Sequence, residues 1–395
     1  MKFSRRILGI NPSATLAVDA KAKELRSLGK NVISFGSGEP DFISPPAAFE
    51  YARNAMERGE THYTPTPGIQ ELRKEICIYY KKRFAIEYSP AQVVVGAGAK
   101  PCIYEALAAI VDPGDEVILI APTWVSYLEQ IQLLDGRVAV VDTDSKYVPQ
   151  LANIEKAITD RSVALLLNSP ANPSGVMLDE ETIKGIGRLA IKYDLWLIWD
   201  EIYERITYGE TSHYNPVQLM PELASRTVII NGVSKAYAMT GWRIGYSIAP
   251  MALASKISDF QSHLTSNPCS IAQWAAVGAM RESDDDVAAM REAFQDRREL
   301  MCGLLSQMPH ISFPVPDGAF YVFINIKECL GKSYEGQVIT DDQTFCSILL
   351  ASELVAVVPG SAFLAPGHIR VSYACSPETI NKGMKRLQNF LDKLK

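Results

Sequence analysis

Five short apolar runs end in residues that could do chemistry together. Residues 228–230 lead into Asn231-Gly232-Val233-Ser234-Lys235, with Arg243 further along the same segment. Residues 195–199 end at Asp200, with Tyr203 close behind. Asn168-Ser169-Pro170-Ala171-Asn172-Pro173-Ser174-Gly175 follows 163–167, Ala121-Pro122-Thr123-Trp124 follows 117–120, and Gly96-Ala97-Gly98-Ala99-Lys100 follows 93–95. A lysine amine can act as nucleophile or base. A carboxylate at the end of an apolar strand needs a partner, because burying it unpaired is costly. A glycine loop that opens a helix can hold an anion through free N–H groups and the positive helix end. Each residue alone has a plainer reading. Lys235 and Arg243 could be surface charges, Trp124 packing, Asn172-Pro173-Ser174-Gly175 a turn, and Gly96-Ala97-Gly98 a tight strand–helix connection. The glycines also miss the GxGxxG spacing, which argues against a dinucleotide site and a nicotinamide oxidoreductase. The weight lies in their convergence, since ligands of an open parallel sheet bind outside the carboxyl ends of its strands.

The elements that must position these residues are legible in the pattern. Continuous apolar runs at 93–95, 117–120, 138–141, 163–167, 195–199 and 228–230 read as strands buried on both faces. Amphipathic helical stretches lie between most of them, for example 180–193, and Pro101 suits the first turn of a helix running through Leu107 and Ile110. Asp112-Pro113-Gly114-Asp115 stops that helix. Strand–helix alternation of this kind predicts an α/β fold with a mostly parallel sheet. Downstream, helical regions at 271–280 and 287–305 precede strand-like runs at 319–326 and 368–373, the texture of a second, α+β domain.

The chain's 395 residues are enough for two domains. Hydrophobic residues at 47% and charged residues at 21% can build a large core. A formal net charge of −6 argues against general affinity for nucleic acid or anionic membrane. The seven cysteines are scattered, with no CxxC pair and no histidine at zinc-like spacing, so reduced thiols are expected and no metal site. Lys2, Arg5 and Arg6 are followed by only Ile7 and Leu8 before Gly9, which is no signal-peptide core. A cytoplasmic enzyme is the expectation.

The segment Ser234-Lys235-Ala236-Tyr237-Ala238-Met239-Thr240-Gly241-Trp242-Arg243-Ile244-Gly245-Tyr246 resembles the cofactor-lysine signature of the class I aminotransferases. Asn11-Pro12-Ser13-Ala14-Thr15, Gly38-Glu39-Pro40-Asp41-Phe42, His62-Tyr63-Thr64-Pro65, Asn172-Pro173-Ser174-Gly175 and Asp200-Glu201-Ile202-Tyr203 are similar to that family in its order. The resemblance runs from about Ser13 to Tyr373, and it is strongest to the bacterial aspartate aminotransferase subgroup. It implies the pyridoxal 5′-phosphate (PLP)-dependent transferase fold type I. A large domain over 46–280 would carry a seven-stranded-type, mostly parallel sheet, and 1–45 with 281–395 would form the smaller α+β domain.

The same resemblance implies roles. Lys235 would hold the cofactor as an imine and later act as the base. Asp200 would pair with the pyridine nitrogen, Tyr203 and Asn172 with the phenolic oxygen, and Trp124 would stack on the ring. Gly98, Ala99, Lys100, Ser234 and Arg243 would hold the phosphate, joined by Tyr63 from the neighbouring subunit of a homodimer with shared sites. Many family members carry a hydroxyl three residues before the lysine, where this chain has Gly232. Arg370 would clamp the substrate α-carboxylate, with Gly38, Trp124 and Asn172 beside it. Lys100, with hydroxyls from Ser13 and Thr15, would meet a distal carboxylate. The substrates expected are small amino acids and 2-oxo acids, with an amino group passing from L-aspartate to 2-oxoglutarate. Prephenate also presents a second carboxylate, so an aspartate/glutamate–prephenate aminotransferase is the nearest alternative. A PLP-dependent lyase on the same scaffold would use the same cofactor residues, whereas a PLP-sensing transcription regulator would need an added basic DNA-binding domain.

Overall fold

The computed structural model describes residues 2–395. Its centre is a seven-stranded sheet built from β1 (Val93–Gly96), β2 (Glu116–Ala121), β3 (Arg137–Asp142), β4 (Ser162–Asn168), β5 (Trp196–Asp200), β6 (Thr227–Gly232) and β7 (Gly245–Ile248). Their spatial order is β1-β7-β6-β5-β4-β2-β3. β7 runs antiparallel to both neighbours, and every other pairing is parallel. The six apolar runs read from the sequence all become strands. β7 is the addition: its residues stood out in the sequence only for their place beside Arg243.

The reason the strands read as unbroken apolar runs is visible in their packing. Val93, Val95, Leu165, Leu167, Leu197, Trp199 and Ile229 enter one core. Their neighbours Val94, Ala164, Leu166, Ile198, Val228 and Ile230 enter another on the opposite face. Successive side chains alternate sides, so a sheet covered twice must be apolar at every position.

Five helices carry or brace the residues of interest: α1 (Ala14–Ser27), α2 (Pro46–Glu57), α3 (Ala99–Ala108), α4 (Val125–Leu133) and α5 (Ser270–Glu282). α3 begins two residues before Pro101, which sits within its first turn, where a missing N–H costs nothing. Ser13 caps α1, its side chain accepting from the Leu16 N–H. A third core gathers around a three-stranded antiparallel sheet of β8 (Tyr321–Asn325), β9 (Val358–Pro359) and β10 (His368–Ser372), in the order β9-β10-β8. This core includes Ile33 and Phe35 from early in the chain, and Ile202 and Tyr203 from just beyond β5. All seven cysteines are free, Cys329 among the buried ones. Among the described residues, no helix is long and apolar enough to cross a membrane.

α2 and α5 pack through small residues, including Ala48, Ala52, Ala275, Ala276 and Gly278. A Cβ on Gly278 would lie 2.6 Å from both the Ala47 carbonyl oxygen and Cγ of Tyr51. A Gly278→Ala variant must therefore push the helices apart. The strain, about 1–3 kcal/mol, exceeds the gain of up to about 1 kcal/mol from helix propensity. The variant is expected to unfold at a lower urea midpoint, and an unchanged or higher midpoint would mean that the contact relaxes freely.

Candidate active site

A cleft of about 550 Å³ opens at the carboxyl ends of β1, β2, β4, β5 and β6. It is lined by thirteen of the fifteen site residues read from the sequence: Ser13, Thr15, Gly38, Ala99, Lys100, Trp124, Asn172, Asp200, Tyr203, Ser234, Lys235, Arg243 and Arg370. Gly98 lies just behind the lining, under the Arg243 guanidinium. Tyr63 stands apart, 93% exposed. Ser13 caps α1 and Thr15 lies in its first turn, Gly38 is on the loop after Ile33–Ser34, and Arg370 is on β10, so α1 and the small sheet supply one wall.

Two groups of opposite type meet in this cleft. Asp200 is the last residue of β5 and is buried. Burial pushes its carboxyl up to about 6, against a hydrogen bond from the Tyr127 hydroxyl to Oδ2 at 2.6 Å and another from the Ile202 N–H to Oδ1 at 3.1 Å. Lys235 follows β6, and its Nζ donates to the Gly38 carbonyl at 2.5 Å. Burial lowers its amine to about 8, helped by Arg370 and Arg243 and opposed by Glu39. Such a lysine gives up its proton far more readily than one in water, so an amine able to act as nucleophile or base is accessible near physiological pH.

The cations around them have neutral partners. Arg370, almost wholly buried, donates from Nη1 to Asn172 Oδ1 at 3.0 Å and from Nη2 to the Gly36 carbonyl at 2.8 Å. Its Nε has no partner among the described residues, and its guanidinium lies 4.4 Å from the Tyr321 ring centroid. Lys100 Nζ stands 4.9 Å from the centroid of Trp124. Arg243, in the left-handed region at φ 58°, donates to the carbonyls of Thr240 at 2.9 Å and Ala97 at 3.2 Å. Its guanidinium covers Gly98, where a Cβ would come within 2.3 Å of Nη2 and where φ is +104°. Only glycine fits there. The first-turn amides of α3, which have no intrahelical acceptor, open beside this arginine. Gly232 also has a steric cause: a Cβ would lie 2.8 Å from Gly245 Cα across the β6–β7 pair, so no hydroxyl side chain fits at this position.

Four further residues of the site escape the sequence patterns. Tyr127 sits on α4, one turn after Trp124, and only its bond to Asp200 marks it. Tyr321 on β8 reaches the Tyr203 hydroxyl at 3.0 Å. Gly36 supplies a carbonyl to Arg370, and Asp19 on α1 lines the cleft. Asp19 reaches the cleft because α1 packs beside it, and nothing local in the sequence reveals that placement.

Fold and cleft agree with the relationships of the sequence. The family of class I and II aminotransferases matches residues 30–387, and the chain belongs to that family. The aspartate aminotransferase of Bacillus subtilis (strain 168) is 40% identical over 395 residues, covering 100% of both chains. A probable aspartate/prephenate aminotransferase of Rhizobium leguminosarum bv. phaseoli is 43% identical over 385 residues, 96% of each. The crystal structure of the aspartate aminotransferase of Rhizobium meliloti superposes with a TM-score of 0.97 at 38% identity, covering 100% of both chains. The chain is thus an aminotransferase with the fold of the PLP-dependent aspartate aminotransferases.

Beneath the Gly96-Ala97-Gly98 loop lies a group with no part in the cleft. Glu105 of α3 is fully buried, and neither carboxyl oxygen has a partner among the described residues. Burial raises its carboxyl to about 8. In the unfolded chain it ionises near the ordinary glutamate value, so between about pH 4.5 and 8 the folded state holds a proton the unfolded state has lost. Its contribution is fully present below that range and is lost as pH rises through it. Glu105→Gln removes this dependence. The variant is expected to gain stability relative to the parent as pH rises from about 5 to 8, measured by urea unfolding at each pH, and a constant difference would show that Glu105 is ionised in the fold.

Proposed function

We propose that this chain is a PLP-dependent aspartate aminotransferase, moving an amino group from L-aspartate to 2-oxoglutarate and yielding oxaloacetate and L-glutamate. The observation that carries the reading is the charge layout of the cleft. A low-pKa lysine and a buried carboxylate share the cleft with two cations, Arg370 and Lys100, whose polar or aromatic partners are all neutral. That layout suits a dicarboxylate amino acid.

The residues present also fit the cofactor. Asp200 has hydrogen-bond donors but no cation in contact, Lys235 is held only by a carbonyl, and Gly98 leaves a cradle under Arg243. PLP, when bound, supplies an aldehyde that condenses with amines and a ring that accepts the electrons of the substrate α-carbanion. Lys235 would hold it covalently. Asp200 would pair with its ring nitrogen and keep that nitrogen protonated, each unit of raised pKa being worth about 1.4 kcal/mol. Tyr203 and Asn172 would hold its phenolic oxygen, and Trp124 its ring face. Arg243, Ser234 and the Gly98-Ala99-Lys100 backbone would hold its phosphate.

Arg370 would bind the substrate α-carboxylate, with Gly38, Trp124 and Asn172 bordering the same position. Its unpartnered Nε and its contact with Asn172 support this role. With the substrate amine taking its place on the cofactor, Lys235 would be freed as an amine whose Nζ could take the proton from the substrate Cα, a transfer suited to an amine lowered to about 8. Lys100, with Ser13 and Thr15, would bind the distal carboxylate. As a point charge, Lys100 discriminates less than a bidentate arginine. An aspartate/prephenate aminotransferase is the second reading, and the relatives carrying that name support it.

We also propose a cytoplasmic homodimer with shared sites, in which the exposed Tyr63 reaches the partner's phosphate position. The division into 46–280 and 1–45 with 281–395 belongs to this reading. Its support is that all strands of the large sheet fall within the first range and the β8–β10 sheet within the second.

Two measurements test these roles. Lys235→Ala is expected to lose borohydride-trapped attachment of PLP and roughly 10²–10⁴-fold in kcat; retention of either property would remove Lys235 from its role. Adding L-aspartate, L-glutamate, L-alanine, L-tyrosine and arogenate singly should bleach the visible absorbance of the bound cofactor fastest with the acidic substrates. Lys100→Met should cost those substrates roughly 10–100-fold in kcat/KM, the scale of a charged hydrogen bond, and leave alanine unchanged. Equal losses for alanine would move Lys100 to the phosphate, and release of ammonia without a second oxo acid would indicate a lyase.

A further inference from the structure

The carboxylate of Asp200 has one side-chain donor among the described residues, the hydroxyl of Tyr127. Tyr127 is on α4, fully buried, and lines the cleft. Its ring meets Trp124 edge to face, with centroids 5.3 Å apart at 83°. One side chain thus touches both the ring platform and the carboxylate. We propose that Tyr127 is a positioning residue for Asp200: its hydroxyl fixes the carboxylate's orientation at the end of β5 and keeps it ionised toward a protonated ring nitrogen. The inference rests on the reading of this cleft as a PLP site.

The surroundings of Asp200 show why a donor is needed. Glu201, next along the chain, is a fully buried carboxylate held by Tyr80, His213 and Asn215, and its charge opposes ionisation of Asp200. Lys235 favours ionisation only weakly, and Tyr203 is a neutral phenol whose own hydroxyl faces Tyr321. Burial outweighs these charges, leaving the hydrogen bonds from Tyr127 and the Ile202 N–H as the main forces on the ionised side, Tyr127 the larger. The Tyr127 phenol itself is pushed well above its ordinary value by burial and by Asp200, so it remains a donor across the working pH range. A charged hydrogen bond of this kind is worth roughly a factor of ten or more in equilibrium constant.

Tyr127→Phe separates the two contacts, because the phenyl ring keeps its packing on Trp124 and only the hydroxyl is lost. The first readout uses cofactor-free protein: carbon-13 NMR of aspartate carboxyls over pH 4–9, with the Asp200 signal assigned from a D200N sample. The variant is expected to lower the Asp200 acid dissociation constant about tenfold, so that the carboxyl titrates at higher pH. The second compares dissociation constants for PLP and for its analogue with carbon in place of the ring nitrogen. Tyr127→Phe should weaken PLP by about tenfold and the analogue by less than about twofold. An unmoved Asp200 titration, or equal weakening of both compounds, would overturn the proposal and leave Tyr127 a packing residue. If the parent protein binds neither compound, the cofactor reading fails, while the carbon-13 titration still decides whether Tyr127 governs Asp200.

Discussion

Burial of an acid and an amine in the same cleft is the condition on which the rest of the site depends. In water, Asp200 and Lys235 would be ionised across the whole physiological range. Removing water raises the acid to about 6 and lowers the amine to about 8, so both come near neutrality from opposite sides. The sheet supplies that burial. Asp200 is held at the end of a central strand flanked by parallel neighbours, where it opens to the cleft yet keeps very little exposure to solvent.

The second constraint is the close approach of β6 and β7. Gly232 and Gly245 face each other, and a side chain on either would strike backbone: the opposing strand for Gly232, Gly98 and Ala99 for Gly245. This contact lets the chain leave β6, present Ser234 and Lys235 to the cleft, and return as β7 with Arg243 over Gly98. An antiparallel strand inside a parallel sheet is therefore the device that puts the lysine and the arginine on one loop. The α3 amides are brought to the same place because Ala99 packs against Gly245.

The third wall comes from β10 and α1. Arg370 is buried between Tyr321 and Phe363, with only an amide oxygen and a carbonyl accepting from it. A desolvated guanidinium with one nitrogen unpartnered is costly in isolation and well placed for a carboxylate ligand.

The sequence by itself determined the strands and most of the residues that line the cleft. Unbroken apolar runs within β1, β4, β5 and β6 report a doubly covered sheet, and each such run is followed by a residue with chemistry in it. The ordered motifs from Asn11 to Arg243 carried the family. What only the tertiary structure decided lies where partners are distant in sequence. β7 is short, with a glycine and a serine among its four residues, so its pattern is weak and its place is fixed by pairing with β1 and β6. The bonds from Tyr127 to Asp200, between Tyr321 and Tyr203, and from Arg370 to the Gly36 carbonyl join segments far apart in the chain. No local pattern encodes such pairs. Nor could the sequence give the pKa shifts of Asp200 and Lys235, because desolvation is a property of how completely the folded chain surrounds a group, not of the residues beside it.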